Sequence, residues 1–223
     1  MTGSSDAAPF PTPTIVPLGD SAMLVRFGTE LTDAANRAAI ALTAMLDQTP
    51  LEHVLEVVPN LVSVMLRYDP RVTRYADIAG QLRLRLFALA DAPVVAGRAW
   101  SLPIAFDGPD LDAVADRLGM TVADFIVAHN AASLRVLATG FAPGFVYCGL
   151  HDAALVVPRR TEVRPLVSPG TVLFAAGQTA LTATELPSGW HIIGHTDFAN
   201  FDAAAAPPTR LQPGDSLAFT VAP

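Results

Sequence analysis

The stretch from Gly140 to Thr196 constrains the fold most. It runs through Gly-Phe-Ala-Pro-Gly-Phe-Val-Tyr (140–147), Pro-Arg-Arg (158–160), Ser-Pro-Gly-Thr-Val (168–172), Gly-Gln-Thr (177–179), Pro-Ser-Gly-Trp (187–190) and Ile-Gly-His-Thr (193–196). Glycine and proline punctuate it so often that no helix of ordinary length fits. Glycine also loses the most backbone freedom on folding, so ordering this segment is costly. Short β runs separated by turns remain, in the manner of a barrel or sandwich. Loops on such a scaffold are where binding and chemistry concentrate.

The chain upstream has a different texture. Residues 1–13 are Ser, Ala, Pro and Thr-rich and read as a loose tail. Ala22 to Phe27 reads as a strand closed by Gly28, and Thr32 or Asp33 caps a helix to about Asp47. Val54–Val58 and Leu61–Tyr68 form a hairpin signal about Pro59-Asn60, and Tyr75–Leu89 has helical spacing. Strand, helix, two strands, helix predicts an α+β layer over 14–92. A linker over 90–99 leads to a second, mainly β domain over 99–223. That domain begins with a strand (99–106) and two short helices (110–118 and 121–130). Short strands follow near 134–138, 172–176, 180–184, 190–193 and 217–221, the last introduced by Pro213-Gly214-Asp215.

Bulk properties narrow the function. The 223 residues are 51% hydrophobic and 16% charged, which is globular rather than disordered. This leaves much apolar surface, as a permanent partner would cover or as an alanine-rich monomer would carry. A net charge of -7 argues against nucleic-acid binding. No run approaches ~18 apolar residues, and the N-terminal segment has no basic region before an apolar core. With the single Cys148, this gives a cytoplasmic expectation.

Candidate site residues lie in the glycine-rich stretch. Arg159, Arg160 and Arg164 are guanidinium forks suited to carboxylate or phosphate; the competing reading pairs them with Glu162, Asp152 or Asp202. Gln178 and Thr179 offer side chains to an amide, and Trp190 serves either as a pocket wall or as core. His191 and His195 fall on a strand, where four residues span ~13 Å, too far to share a zinc ion. No metal site is expected. His53, His129 and His151 have no partner spacing and read as surface or loop histidines, and Cys148 as a small buried residue rather than a nucleophile. Nucleotide-binding and hydrolase motifs are missing, so any ATP chemistry would draw its site from another chain.

The ordered set of motifs, together with Pro17 to Ala22, Gly108-Pro109-Asp110-Leu111 and His129, resembles the allophanate hydrolase subunit 1 family. That family is also described as the B component of 5-oxoprolinase, and it includes a sporulation-kinase inhibitor. The resemblance covers nearly the whole chain. It implies an α+β N-terminal domain followed by a cyclophilin-like β-barrel. It implies an ATP-dependent hydrolysis of 5-oxo-L-proline to glutamate. The implied partners are a C component, similar to allophanate hydrolase subunit 2, and a third 5-oxoprolinase component, with ATP bound with or by those partners. On this basis His195 and Arg164 are assigned catalytic roles. Arg159, Arg160, Gln178, Thr179 and Trp190 are assigned to substrate, and Phe141, Pro143 and Gly144 shape the loop. The alternatives are a protein-binding regulator of the kinase-inhibitor type and a carboxyltransferase component acting with biotin on a urea-like substrate. The chain departs from the family pattern at Cys148, Val163, Thr182, Ser188 and His195.

Overall fold

The computed structural model describes residues 10–89 and 97–222. These form two compact units, one on each side of the junction at residues 95–96. The expected tail falls mostly on residues 1–9 and the expected linker mostly on 90–96, both outside the described residues.

In the first unit, β1 (Thr14–Leu18), β2 (Ala22–Arg26), β3 (Val54–Pro59) and β4 (Ser63–Tyr68) form an antiparallel sheet in the order β1-β2-β4-β3. Strand β1 escaped the sequence reading because Pro17 and its exposed residues hide any alternation. On β4 the period of two is clear: Val64, Leu66 and Tyr68 are buried, while Met65 and Arg67 are half-exposed. Helices α1 (Asp33–Gln48) and α2 (Tyr75–Leu89) cover the buried face. The Thr32 hydroxyl caps α1 by accepting from Ala35 N at 3.2 Å. That helix buries Ala35, Ala38, Ala39 and Ala41 beside Leu42 and Leu46, small side chains that allow close approach to the sheet.

The second unit is built on β5 (Ala99–Ile104), α3 (Leu111–Arg117), α4 (Val122–Asn130), β6 (Leu134–Thr139), β7 (Val146–Gly149), β8 (Arg164–Val167), β9 (Thr171–Ala175), β10 (Gln178–Leu181), β11 (Leu186–Ser188), β12 (His191–His195) and β13 (Ser216–Val221). Seven of these strands form a sheet in the order β12-β9-β10-β7-β6-β13-β5, and β8 pairs antiparallel with β11 as a separate two-stranded sheet. The two ends of the large sheet meet where Ala105 and His195 exchange backbone hydrogen bonds, each 2.9 Å. The result is the expected cyclophilin-like barrel. No described helix is long and apolar enough to cross a membrane.

Two buried side chains hold the barrel's loops. Asp215, in the Pro-Gly-Asp turn, accepts from Arg98 N at 2.8 Å, Trp100 Nε1 at 2.9 Å and Gln212 N at 3.0 Å. Asn200 donates to Gly144 O and accepts from Leu211 N, both at 2.9 Å, and so ties down the 140–145 loop.

The seam tolerates no extra carbon. A Cβ on Gly194 would lie 2.2 Å from Ala105 O, a backbone atom that cannot swing aside. Gly194→Ala is therefore expected to destabilise this unit by about 1–3 kcal/mol. Urea unfolding followed by tryptophan fluorescence checks this, because Trp100 and Trp190 both lie in the second unit.

Candidate functional site

Alternation along the central strands gives the barrel sheet two chemically distinct faces. Val146, Cys148, Val172, Phe174 and Leu181 point to the interior core, whereas Tyr147, Leu173, Ala175 and Ala180 belong to a second cluster on the other face. Thr179 stands opposite Phe174 and Cys148 and shares the interior face; Gln178 stands opposite Ala175 and shares the outer one.

On the outer face the aromatic residues form a continuous stripe. Phe141 meets Phe145 at a ring distance of 5.5 Å, Phe145 meets Tyr147 at 4.8 Å, and Tyr147 meets Trp190 at 6.0 Å. The Arg159 guanidinium lies over Trp190, 5.6 Å from the ring centroid, a cation–π arrangement. Arg159 has no carboxylate partner among the described residues. Burial pushes the Tyr147 hydroxyl above its usual range, and the nearby positive charge of Arg159 offsets part of that rise. Gln178 is buried beside this stripe, two residues from Ala180, which pairs with Tyr147. Its Oε1 has no hydrogen-bond partner among the described residues, an arrangement that costs free energy unless something occupies it. Phe141 is 73% exposed and held at φ 75°, while Gly144 at φ 71° leaves room for Phe201 and Ala183. The Pro143 carbonyl accepts from the Thr184 hydroxyl at 3.4 Å.

The other two arginines are otherwise engaged. Arg160 Nη1 donates to Asp110 Oδ1 at 2.8 Å, and Arg164 donates to both Asp110 oxygens at 2.5 and 2.9 Å. The Ile192 N–H donates to the same carboxylate at 2.8 Å. Burial alone would raise the Asp110 pKa; the Arg164 and Ile192 hydrogen bonds and the two positive charges outweigh it and lower it. The expected partners Glu162, Asp152 and Asp202 are thus replaced by Asp110, some fifty residues upstream, because the Gly108–Leu111 turn is stitched to β12.

On the interior face, His129 is corrected from a surface or loop position to a buried one on α4, whereas His151 does lie in a loop, partly buried against it. Their rings lie 4.8 Å apart, and each Nε2 is 2.8 Å from the Thr179 hydroxyl. His129 Nδ1 is 2.7 Å from Asn130 Oδ1. Burial lowers the pKa of His129 to about 4 and of His151, which also feels His129, to about 3. The aromatic rings of Phe125, Phe174 and Phe219 surround His129. Thr179 is therefore turned away from Gln178. His195 is separate again: it lies at the barrel seam, exposed, with Nδ1 2.9 Å from Asp107. Cys148 is fully buried, and burial pushes its thiol well above the usual range.

Thr182 and Ser188 support the backbone. The Thr182 hydroxyl accepts from Thr171 N at 2.9 Å and donates to Ser168 O at 2.7 Å; Ser188 Oγ accepts from Trp190 N at 3.1 Å. Sequence reasoning missed Tyr147, Asp110, His129 and His151 as site-forming residues. Their signal was membership of the glycine-rich stretch or of the Gly-Pro-Asp-Leu and His129 motif.

Comparison with known proteins accords with this fold and motif order. The family model described as carboxyltransferase domain, subdomain C and D, matches residues 13–211. The chain belongs to this family. Among its relatives, the 5-oxoprolinase B component of Bacillus subtilis is 31% identical, the match covering 91% of this chain and 90% of that protein. The protein of the same name from Escherichia coli O157:H7 is also 31% identical, covering 91% of this chain and 93% of that one. The crystal structure of TTHA0988 superposes with a TM-score of 0.79 at 32% identity; 91% of this chain is covered, and it spans 40% of that longer chain. Kluyveromyces lactis urea amidolyase shares the fold, with a TM-score of 0.76 at 17% identity, over 96% of this chain and 15% of that one.

The buried histidines make stability pH-dependent. Their folded pKa values lie below the ordinary 6.5, so the unfolded chain binds more protons between about 6.5 and the folded values. Stability is full above that range and falls as pH drops from about 6.5 toward 4. The urea midpoint from tryptophan fluorescence is expected to fall between pH 7 and pH 5, and to fall less in His129→Gln, whatever the variant's absolute stability.

Proposed function

We propose that this chain is the B component of an ATP-dependent 5-oxoprolinase. It acts with a C component similar to allophanate hydrolase subunit 2 and with a third component. The observation that carries the reading is identity of 31% over nearly the full length of two 5-oxoprolinase B components. That a 32% identical chain carries the same fold within a much longer polypeptide supports association with further domains.

The outer-face stripe suits the substrate's chemistry. 5-Oxoproline is a five-membered lactam bearing a carboxylate. Arg159, without a carboxylate partner among the described residues, provides the guanidinium for that carboxylate. Gln178 Oε1, buried and unpartnered, accepts the lactam N–H. Tyr147 and Trp190 flank the ring. In the reaction the γ-phosphoryl group of ATP would move to the lactam oxygen with release of ADP, a first water would add at the carbonyl carbon so that the C–N bond opens to a γ-glutamyl phosphate, and a second water would hydrolyse that acyl phosphate to glutamate and phosphate. The partner proteins supply or share the ATP site. Arg160 and Arg164 shape the loop through Asp110.

The test is co-purification with a C component and a third component of the same organism, followed by 5-oxoproline-dependent ATP hydrolysis; a stable complex without that activity overturns the reading. In an active complex, Arg159→Ala is expected to raise KM for 5-oxoproline about tenfold or more, the loss of roughly one charge-assisted hydrogen bond, with a smaller change in kcat.

A further inference from the structure

The hydrogen-bond chain inside the barrel has a definite polarity. Asn130 presents its carbonyl oxygen, which only accepts, to His129 Nδ1 at 2.7 Å. His129 Nδ1 therefore carries the proton, and the neutral ring has a bare Nε2. That nitrogen accepts from the Thr179 hydroxyl at 2.8 Å. With its one proton donated, Thr179 Oγ1 accepts from His151 Nε2, also at 2.8 Å, which places the proton of His151 on Nε2. The opposite nitrogen of His151 is left as a lone pair. His151 Nδ1 has no partner among the described residues. His151 is only partly buried, in the loop after β7, whereas His129 is fully enclosed.

We infer that His151, rather than His195, is the histidine this fold prepares for ligand contact, with Nδ1 held as a bare acceptor for a neutral N–H or O–H donor by the relay through Thr179, His129 and Asn130. The arrangement follows a general pattern in which a hydrogen bond at one imidazole nitrogen sets the tautomer and aims the other. Two further features support it. The Gly177 carbonyl accepts from His151 N at 2.9 Å, which fixes the backbone beneath the ring. Burial keeps both rings uncharged at neutral pH, so neither repels the other and the chain keeps its sense. His195, by contrast, uses its Nδ1 on the exposed Asp107, and nothing in the core orients it. The ligand class is a small polar molecule with an amide N–H or a hydroxyl, water included.

Imidazole ¹⁵N NMR on the full chain at pH 7 tests the geometry. The expected spectrum has opposite tautomers, His129 protonated at Nδ1 and His151 at Nε2; a His151 ring protonated at Nδ1 overturns the inference. The functional arm rests on the 5-oxoprolinase reading and uses His151→Gln in the reconstituted complex. A glutamine amide reaches the Nε2 position and retains the Thr179 hydrogen bond, but offers nothing at Nδ1. The expected result is a loss of tenfold or more in kcat/KM with unaltered tryptophan fluorescence; unchanged kcat/KM removes His151 from ligand contact. A wild-type complex without activity would overturn the proposed function and leave the tautomer measurement to decide this one.

Discussion

The Asp110 carboxylate organises the second unit. It is buried, so it carries a desolvation cost that only close partners offset, and it has three of them: Arg160, Arg164 and the Ile192 N–H. These contacts join the turn before α3, the Pro-Arg-Arg loop, the start of β8 and the middle of β12. Gly108 enters the same junction at a distance no side chain permits, its notional Cβ 2.3 Å from Ile192 O. With Arg160 and Arg164 committed, the adjacent Arg159 is left on the outer surface, stacked on Trp190 and facing no carboxylate among the described residues. One structural interaction thereby separates two kinds of arginine that sit side by side in the sequence.

Pleating makes the second separation. Gln178 and Thr179 are neighbours in the chain yet address opposite faces of the sheet. Outward, Gln178 contributes an unsatisfied acceptor beside Tyr147. Inward, Thr179 closes a neutral polar chain among phenylalanine rings, where every group must find a partner or incur a penalty.

Much of the fold was legible in the sequence because its signals are local. The Thr32 cap, the helical spacing of 75–89 and the β-rich run ending at Tyr68 each lie within a single element. Strands β1, β7, β8 and β11 were not legible: they are short and carry glycine or proline, and tertiary pairing rather than propensity makes them strands. The site was legible as a region and not as a set of roles. Asp110 lies fifty residues from Arg160, and His129 fifty from Thr179, so neither pairing leaves a mark in local spacing. Thr182 and Ser188 act as backbone supports within the glycine-rich stretch.

The central claim is that Arg164 and Asp110 form a structural pair that frees Arg159 for ligand. A double-mutant cycle with Asp110→Asn and Arg164→Gln, read as urea unfolding of the full chain by tryptophan fluorescence, tests it most directly. The account predicts a coupling of about 1–3 kcal/mol, as for side chains sharing one buried network. Additivity of the two single changes to within about 0.5 kcal/mol would contradict it.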